Sequence, residues 1–234
     1  MIRLDKITVA FGNRTLLQSA DCTFKQGTLT ALVGRNGAGK SSLLRILAAI
    51  DSPKQGSILV NNTALHQMPI EERAKVISFV STQRIRVANL LCRDVVATGR
   101  APYTNWIGRM KEQDSHIVTQ ALSAVGMTSF ATRAIDTLSD GECQRVMIAR
   151  ALAQQTPIIL LDEPTAFLDI PTRFEICRLL ADLAHNQGKT IIFSTHDIDA
   201  ALAVCDNVAI LENSAISTYS AADAQAVLKR LFAL

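Results

Sequence analysis

The chain has 234 residues, 48% of them hydrophobic, which is enough to bury one sizeable core without disulfide or metal staples. Lys and Arg total 24 against 21 Asp and Glu, and the net charge of +3 is spread along the sequence, so charge gives no support to nucleic-acid binding. The five cysteines (Cys22, Cys92, Cys143, Cys177, Cys205) are widely spaced and contain no CxxC pair, which disfavours a disulfide framework and a zinc site and suits a reducing cytoplasm. Residues 1–10 read as alternating strand and not as a targeting segment, and no run reaches about 18 uninterrupted apolar residues, so any membrane role is expected to need a partner.

At the N-terminus, segments 2–9, 16–24 and 57–61 are divided by turn-rich pieces such as Gly12-Asn13 and Gln26-Gly27, which predicts antiparallel hairpins in a small β region before the main core. Apolar runs of strand length recur at 29–33, 76–80, 158–161, 190–193 and 208–211, with helical periodicity between several of them. That alternation predicts an α/β protein with a largely parallel sheet. Residues 84–155 carry only helical patterns, at 112–125 and 142–154, broken by Ala101-Pro102 and Gly108. They are expected to form a helical subdomain inserted between core segments 1–83 and 156–234. After Leu211 one short amphipathic helix is expected to close the chain, leaving no room for a C-terminal regulatory domain.

The stretch ALVGRNGAGKSSLL follows the first predicted buried strand and opens an apolar helix, the context a Walker A phosphate loop requires. Its glycines Gly34, Gly37 and Gly39, with Arg35, Asn36 and Ala38 between them, let backbone N–H groups curl around phosphates at the positive end of a helix. Lys40 supplies a cation to the β and γ phosphates of ATP, while Ser41, followed by Ser42, places a hydroxyl for Mg²⁺. In IILLDEPTAFLD, Asp162 and Glu163 end a buried strand at the edge where parallel sheets bind ligands. Asp162 is expected to hold Mg²⁺ and Glu163 to polarise the attacking water. His196, in the context STHD after another strand, is placed to reach the γ-phosphate.

The segment TLSDGECQRVMIARALAQ resembles the signature helix of ABC transporter ATPases. Ser139 and Glu142 have the spacing of a capping box, so a helix is predicted to begin there with exposed amides suited to an anion. The resemblance covers the whole chain and implies a P-loop NTPase core with an inserted helical subdomain, and two ATP molecules held head to tail between two ATPase subunits. It further implies that Ser139, Gly141 and Glu142 face the partner's nucleotide, that Phe11 stacks on adenine, and that Gln83 senses Mg²⁺ and the permease. Asp169 would cross the dimer interface. An isolated Phe between strand and turn is equally a core residue. The family's LSGGQ is LSDGE here, with Asp140 and Glu142 as the departures; Glu142 can serve the helix cap.

TGRAPYTNWIGR and AFLDIPTR are similar to the importer ATPases for iron–siderophore complexes, haem and cobalamin. That likeness implies an ATPase pair on the cytoplasmic face of the cell membrane, bound to a polytopic permease and served indirectly by a substrate-binding protein; a homodimer is the simpler arrangement, with two related subunits as the alternative. Another metal importer or an exporter is the alternative within the family. A soluble ABC ATPase acting on ribosomes or DNA usually carries two cassettes, coiled coils or zinc modules, and a P-loop GTPase would need an NKxD motif.

Overall fold

The computed structural model describes residues 1–12, 14–83, 87–105 and 108–232, without the side chains of Phe11 and Phe232. Strands β1 (Ile2–Phe11) and β2 (Arg14–Phe24) pair antiparallel and bury alternate residues such as Ile2, Leu4, Leu17 and Phe24. The chain then enters a different sheet as β3 (Leu29–Gly34), buried along its whole length, and passes into helix α1 (Lys40–Leu47). It returns to the first sheet as β4 (Gln55–Val60), which turns through Asn61 and Asn62 into the short β5 (Thr63–Ala64). Both asparagines have positive φ, 49° and 67°, the left-handed pair that a two-residue hairpin favours. The small antiparallel sheet, ordered β2-β1-β4-β5, is therefore interleaved with the main core and does not precede it.

Helix α2 (Ile70–Arg73) leads to β6 (Ile77–Val80). Between β6 and β7 the described residues form helices α3 (Cys92–Ala97), α4 (Glu112–Ala124) and α5 (Asp140–Ala153), with 3₁₀ turns and an isolated bridge between Leu91 and Ala134. Next come β7 (Ile158–Leu161), α6 (Ile170–Gln187), β8 (Thr190–Ser194), α7 (Ile198–Leu202) and β9 (Asn207–Glu212). The expectation of one closing helix after Leu211 needs correction: β10 (Ala215–Ser220) pairs antiparallel with β9 before α8 (Ala221–Phe232). Its turn uses Asn213 and Ser214 at φ 50° and 59°, and the strand is mostly exposed, so it lacks the apolar run that marks an interior strand.

The main sheet is ordered β10-β9-β3-β8-β7-β6, with β9, β3, β8, β7 and β6 parallel. Period-2 alternation sends neighbouring residues to opposite faces. Ile158 and Leu160 meet α1 and the antiparallel sheet, whereas Ile159 and Leu161 meet the core shared by α3, α4, α5, α6 and α8. The first helical turn of α1 and the C-terminal tips of β3, β7 and β8 thus come to one edge. None of the described helices is long and apolar enough to cross a membrane.

The GRAPY segment is a structural brace. A Cβ on Gly99 would stand 2.3 Å from the Arg150 carbonyl oxygen, so only glycine lets this turn pass α5 so closely. Arg100, 4% exposed, donates through Nε to Asp114 Oδ1 at 2.9 Å and through Nη1 to the Ala153 carbonyl at 2.7 Å and Gln155 Oε1 at 2.9 Å. Its guanidinium lies 4.0 Å from the Tyr103 ring centroid. Backbone and Arg100 hydrogen bonds hold the Asp114 carboxyl below its usual range. Trp106 and Ile107, from the same stretch, lie outside the described residues. Arg100→Ala strands a buried carboxylate and is expected to cost about 3 kcal/mol, lowering the thermal midpoint by roughly 6–12 °C in a melting experiment.

Candidate ATP-binding and hydrolysis site

The phosphate loop runs from the tip of β3 to the start of α1. At its entry a Cβ on Gly34 would meet the Leu211 carbonyl oxygen at 2.7 Å, and at its exit Gly39 caps α1 with φ 102° and no side-chain hydrogen bond. The amides of the first helical turn are left to be satisfied by an anion. Gly37 also has positive φ, 75°, and its carbonyl accepts from Arg14 Nη2 at 2.9 Å. Lys40 folds over the loop: its buried Nζ donates to the Gly34 carbonyl at 2.9 Å. Burial pulls this ammonium below its ordinary pKa, and the nearby Glu163 and Asp162 carboxylates oppose that shift.

Three strand ends meet at Asp162, which is 7% exposed. Its Oδ1 accepts from Ser41 Oγ at 2.9 Å and from Ser194 Oγ at 2.7 Å, and the Ser194 oxygen accepts the Glu163 backbone N–H at 2.8 Å. One hydroxyl therefore sets both acidic residues. Glu163 is held at φ 48°, a left-handed conformation that costs a non-glycine residue roughly 1–3 kcal/mol and clusters at functional sites. Its Oε1 lies 2.5 Å from His196 Nε2. An open cleft of about 470 Å³ is lined by Asn36, Gly37, Gly39, Lys40, Ser41, Ser42, Glu163 and His196, together with Arg14 and Leu16.

Other expected residues lie elsewhere. Gln83 is exposed and lines a groove of about 670 Å³ shared with Asp162, α1 and Arg150, and a smaller pocket shared with Asp140 and Glu163. Phe11 ends β1, with its side chain outside the described atoms. Ser139 caps α5: its hydroxyl and backbone N–H both donate to Glu142 Oε2 at 2.8 Å, and it accepts the Glu142 N–H at 3.3 Å. These bonds hold the Glu142 carboxyl below its usual range, so Glu142 serves its own helix cap. Neither Ser139, Gly141 nor Glu142 lines the cleft at Lys40. A Cβ on Gly141 would stand 2.8 Å from Thr172 Cγ2. Asp169 likewise caps its own helix, accepting the Thr172 N–H at 2.9 Å, and stays exposed beside Phe167, itself 79% exposed.

A sequence profile described as ABC transporter matches residues 17–166. The chain belongs to the ABC transporter family. It is an ATP-binding, ATP-hydrolysing subunit whose hydrolysis is coupled to transport. This ATPase is 36% identical over 211 residues to the petrobactin import ATP-binding protein of Bacillus anthracis, covering 90% of this chain and 77% of that one. It is 32% identical over 215 residues to the ferric enterobactin transport ATP-binding protein of Escherichia coli, covering 92% and 79%. Among solved structures it resembles a dimeric ATP-binding cassette in a post-hydrolysis state bound to ADP and phosphate, with a TM-score of 0.79, 29% identity and coverage of 94% and 99%.

Ser194, Arg14 and Leu16 were not legible as site residues. Ser194 stands beside His196 in STHD, but its partner Asp162 is 32 positions away and meets it only through the pairing of β7 with β8. Ser194→Ala leaves the Glu163 N–H unsatisfied and Asp162 with one hydroxyl fewer. We expect a loss of about 1–3 kcal/mol in denaturant unfolding together with a slower ATPase. Parent values in both would remove Ser194 from the site.

Proposed function

We propose that this ATPase powers import of an iron chelate of the siderophore class through a separate polytopic permease, acting as a homodimer on the cytoplasmic face of the cell membrane. The observation that carries the ATPase part is the convergence of Lys40, Ser41, Glu163 and His196 on one cleft, with the signature cap outside it. A second copy brings its Ser139 and Gly141 amides to that cleft and closes two ATP molecules between the subunits. The importer part is supported by the likeness to a petrobactin import ATP-binding protein and a ferric enterobactin transport ATP-binding protein. A substrate-binding protein delivers the chelate to the permease, and residues 84–155 act as the lever that the permease follows.

In this reading the ATP phosphates take the loop amides, and Lys40 exchanges the Gly34 carbonyl for β- and γ-phosphate oxygens. Phe11 stacks on the adenine. Ser41 and Asp162 offer hard oxygen donors that lie 2.9 Å apart, with Gln83 nearby on the groove that Asp162 also lines, a donor set suited to Mg²⁺. When bound, Mg²⁺ supplies positive charge against the phosphate oxygens. Glu163 accepts a proton from the water that attacks the γ-phosphorus, the bond to the β–γ bridging oxygen breaks, and ADP and phosphate leave. His196 Nε2 faces the Glu163 carboxylate until ATP binds and then turns to a γ-phosphate oxygen. Asp169, beside the exposed Phe167, meets the partner subunit.

Glu163→Gln is expected to keep ATP affinity while lowering kcat by about 100-fold or more, and His196→Ala to lower it by at least about tenfold, in steady-state ATPase assays. Wild-type turnover in either variant would remove that residue from the mechanism. The cargo is tested with the ATPase, its permease and its binding protein together in vesicles. A ferric siderophore should stimulate hydrolysis several-fold, and stimulation by cobalamin or haem alone would reassign the substrate.

A further inference from the structure

We infer that Arg173 is a positioning residue for hydrolysis, tying the loop after Glu163 to the segment that carries His196. The inference rests on the reading of Glu163 and His196 as the hydrolytic pair. Arg173 lies in the first turn of α6. Its Nε donates to the Leu168 carbonyl at 2.8 Å, and its Nη1 donates to Asp197 Oδ2 at 3.1 Å. A single planar fork thus spans two loops that the sequence separates by almost thirty positions.

Each loop needs such a restraint. The one after β7 holds Glu163 at φ 48° and Phe167 at φ 64°, two left-handed non-glycine residues whose backbone has no intrinsic preference for that path. Arg173 pins its far end at Leu168. On the other side, Asp197 follows His196 directly and is fixed from three directions. Its Oδ1 caps α7 by accepting the Ala200 N–H at 3.0 Å, its own N–H donates to Thr195 Oγ1 at 3.0 Å, and its Oδ2 takes Arg173. The Thr195 N–H in turn donates to the Leu32 carbonyl in β3 at 3.2 Å. These bonds fix the residues on both sides of His196. A cavity of about 150 Å³ is lined by Glu163, Ala166, Arg173, His196 and Asp197, so the fork borders the same space as the pair it serves.

The same turn of α6 also touches the signature helix, where Thr172 Cγ2 fills the space beside Gly141. The Arg173–Asp197 pair is partly exposed, at 35% and 25% of the two side chains, and such pairs add little to folding stability. Its removal is expected to disturb geometry and leave the fold intact. A lysine cannot replace it, because a point charge reaches the Leu168 carbonyl or the Asp197 carboxylate but lacks the fork that serves both.

The test compares purified full-length chains by steady-state ATPase, ATP binding and thermal melting. Arg173→Ala is expected to lower kcat about tenfold with KM for ATP within about twofold of the parent and the melting midpoint unchanged, because misplacement of catalytic groups falls on the chemical step. Arg173→Lys, which keeps the charge and protects against loss of fold, should lower kcat by roughly threefold or more. The double variant of Arg173→Ala with Asp197→Asn should be no slower than the slower single variant, since both break one link. Parent-like kcat in the Ala and Lys variants, or fully additive losses in the double variant, would overturn the assignment. Glu163→Gln separates the two claims: if it is inactive while Arg173→Ala is normal, only the Arg173 role fails, and if Glu163→Gln turns over normally the hydrolytic reading fails first.

Discussion

The Asp162 carboxylate is the constraint on which the site depends. A carboxylate this buried is stable only when its oxygens are hydrogen-bonded. Here the donors are Ser41, from the start of α1, and Ser194, from the tip of β8. Those two bonds hold the phosphate loop, the acidic strand end and the segment leading to His196 in one arrangement, and the second carries Glu163 along through its backbone N–H. The strand order β3-β8-β7 makes this possible, since it sets the Ser194 strand between the loop strand and the acidic strand. Glu163 and the segment that leads to His196 take their places from that parallel pairing.

Electrostatics then gives the site its direction. Lys40 is a buried cation held against a carbonyl oxygen, with its charged form disfavoured by desolvation and supported by two carboxylates. A polyphosphate offers it a stronger partner, and the uncapped amides at Gly39 add to the attraction. The signature cap works differently. Glu142 takes both the backbone N–H and the hydroxyl of Ser139, so its own carboxylate occupies the Ser139 donors of that cap.

Much of this was legible in the sequence, for identifiable reasons. Strands β3, β7 and β8 are buried on both faces, so they appear as continuous apolar runs that end where Gly34, Asp162 and His196 begin the functional loops. The capping box at Ser139 is a local pattern and forms as spaced. What escaped was either exposed or distant in sequence. Strand β10 has no fully buried residue and follows a turn on Asn213-Ser214 without glycine. Ser194 and Arg173 act through partners brought close only by tertiary folding. The GRAPY stretch proved to be a brace around Arg100, a packing role that the sequence pattern did not reveal.

The Lys40 cleft and the Ser139 cap do not meet within one copy of this chain, so the proposed ATP sandwich requires two. Sedimentation velocity of the Glu163→Gln variant, with and without Mg²⁺-ATP, addresses that claim most directly. A shift from monomer to dimer with saturating ATP, reversed by Ser139→Arg on the signature cap, is expected. A variant that binds ATP at saturation yet sediments as a monomer would contradict it.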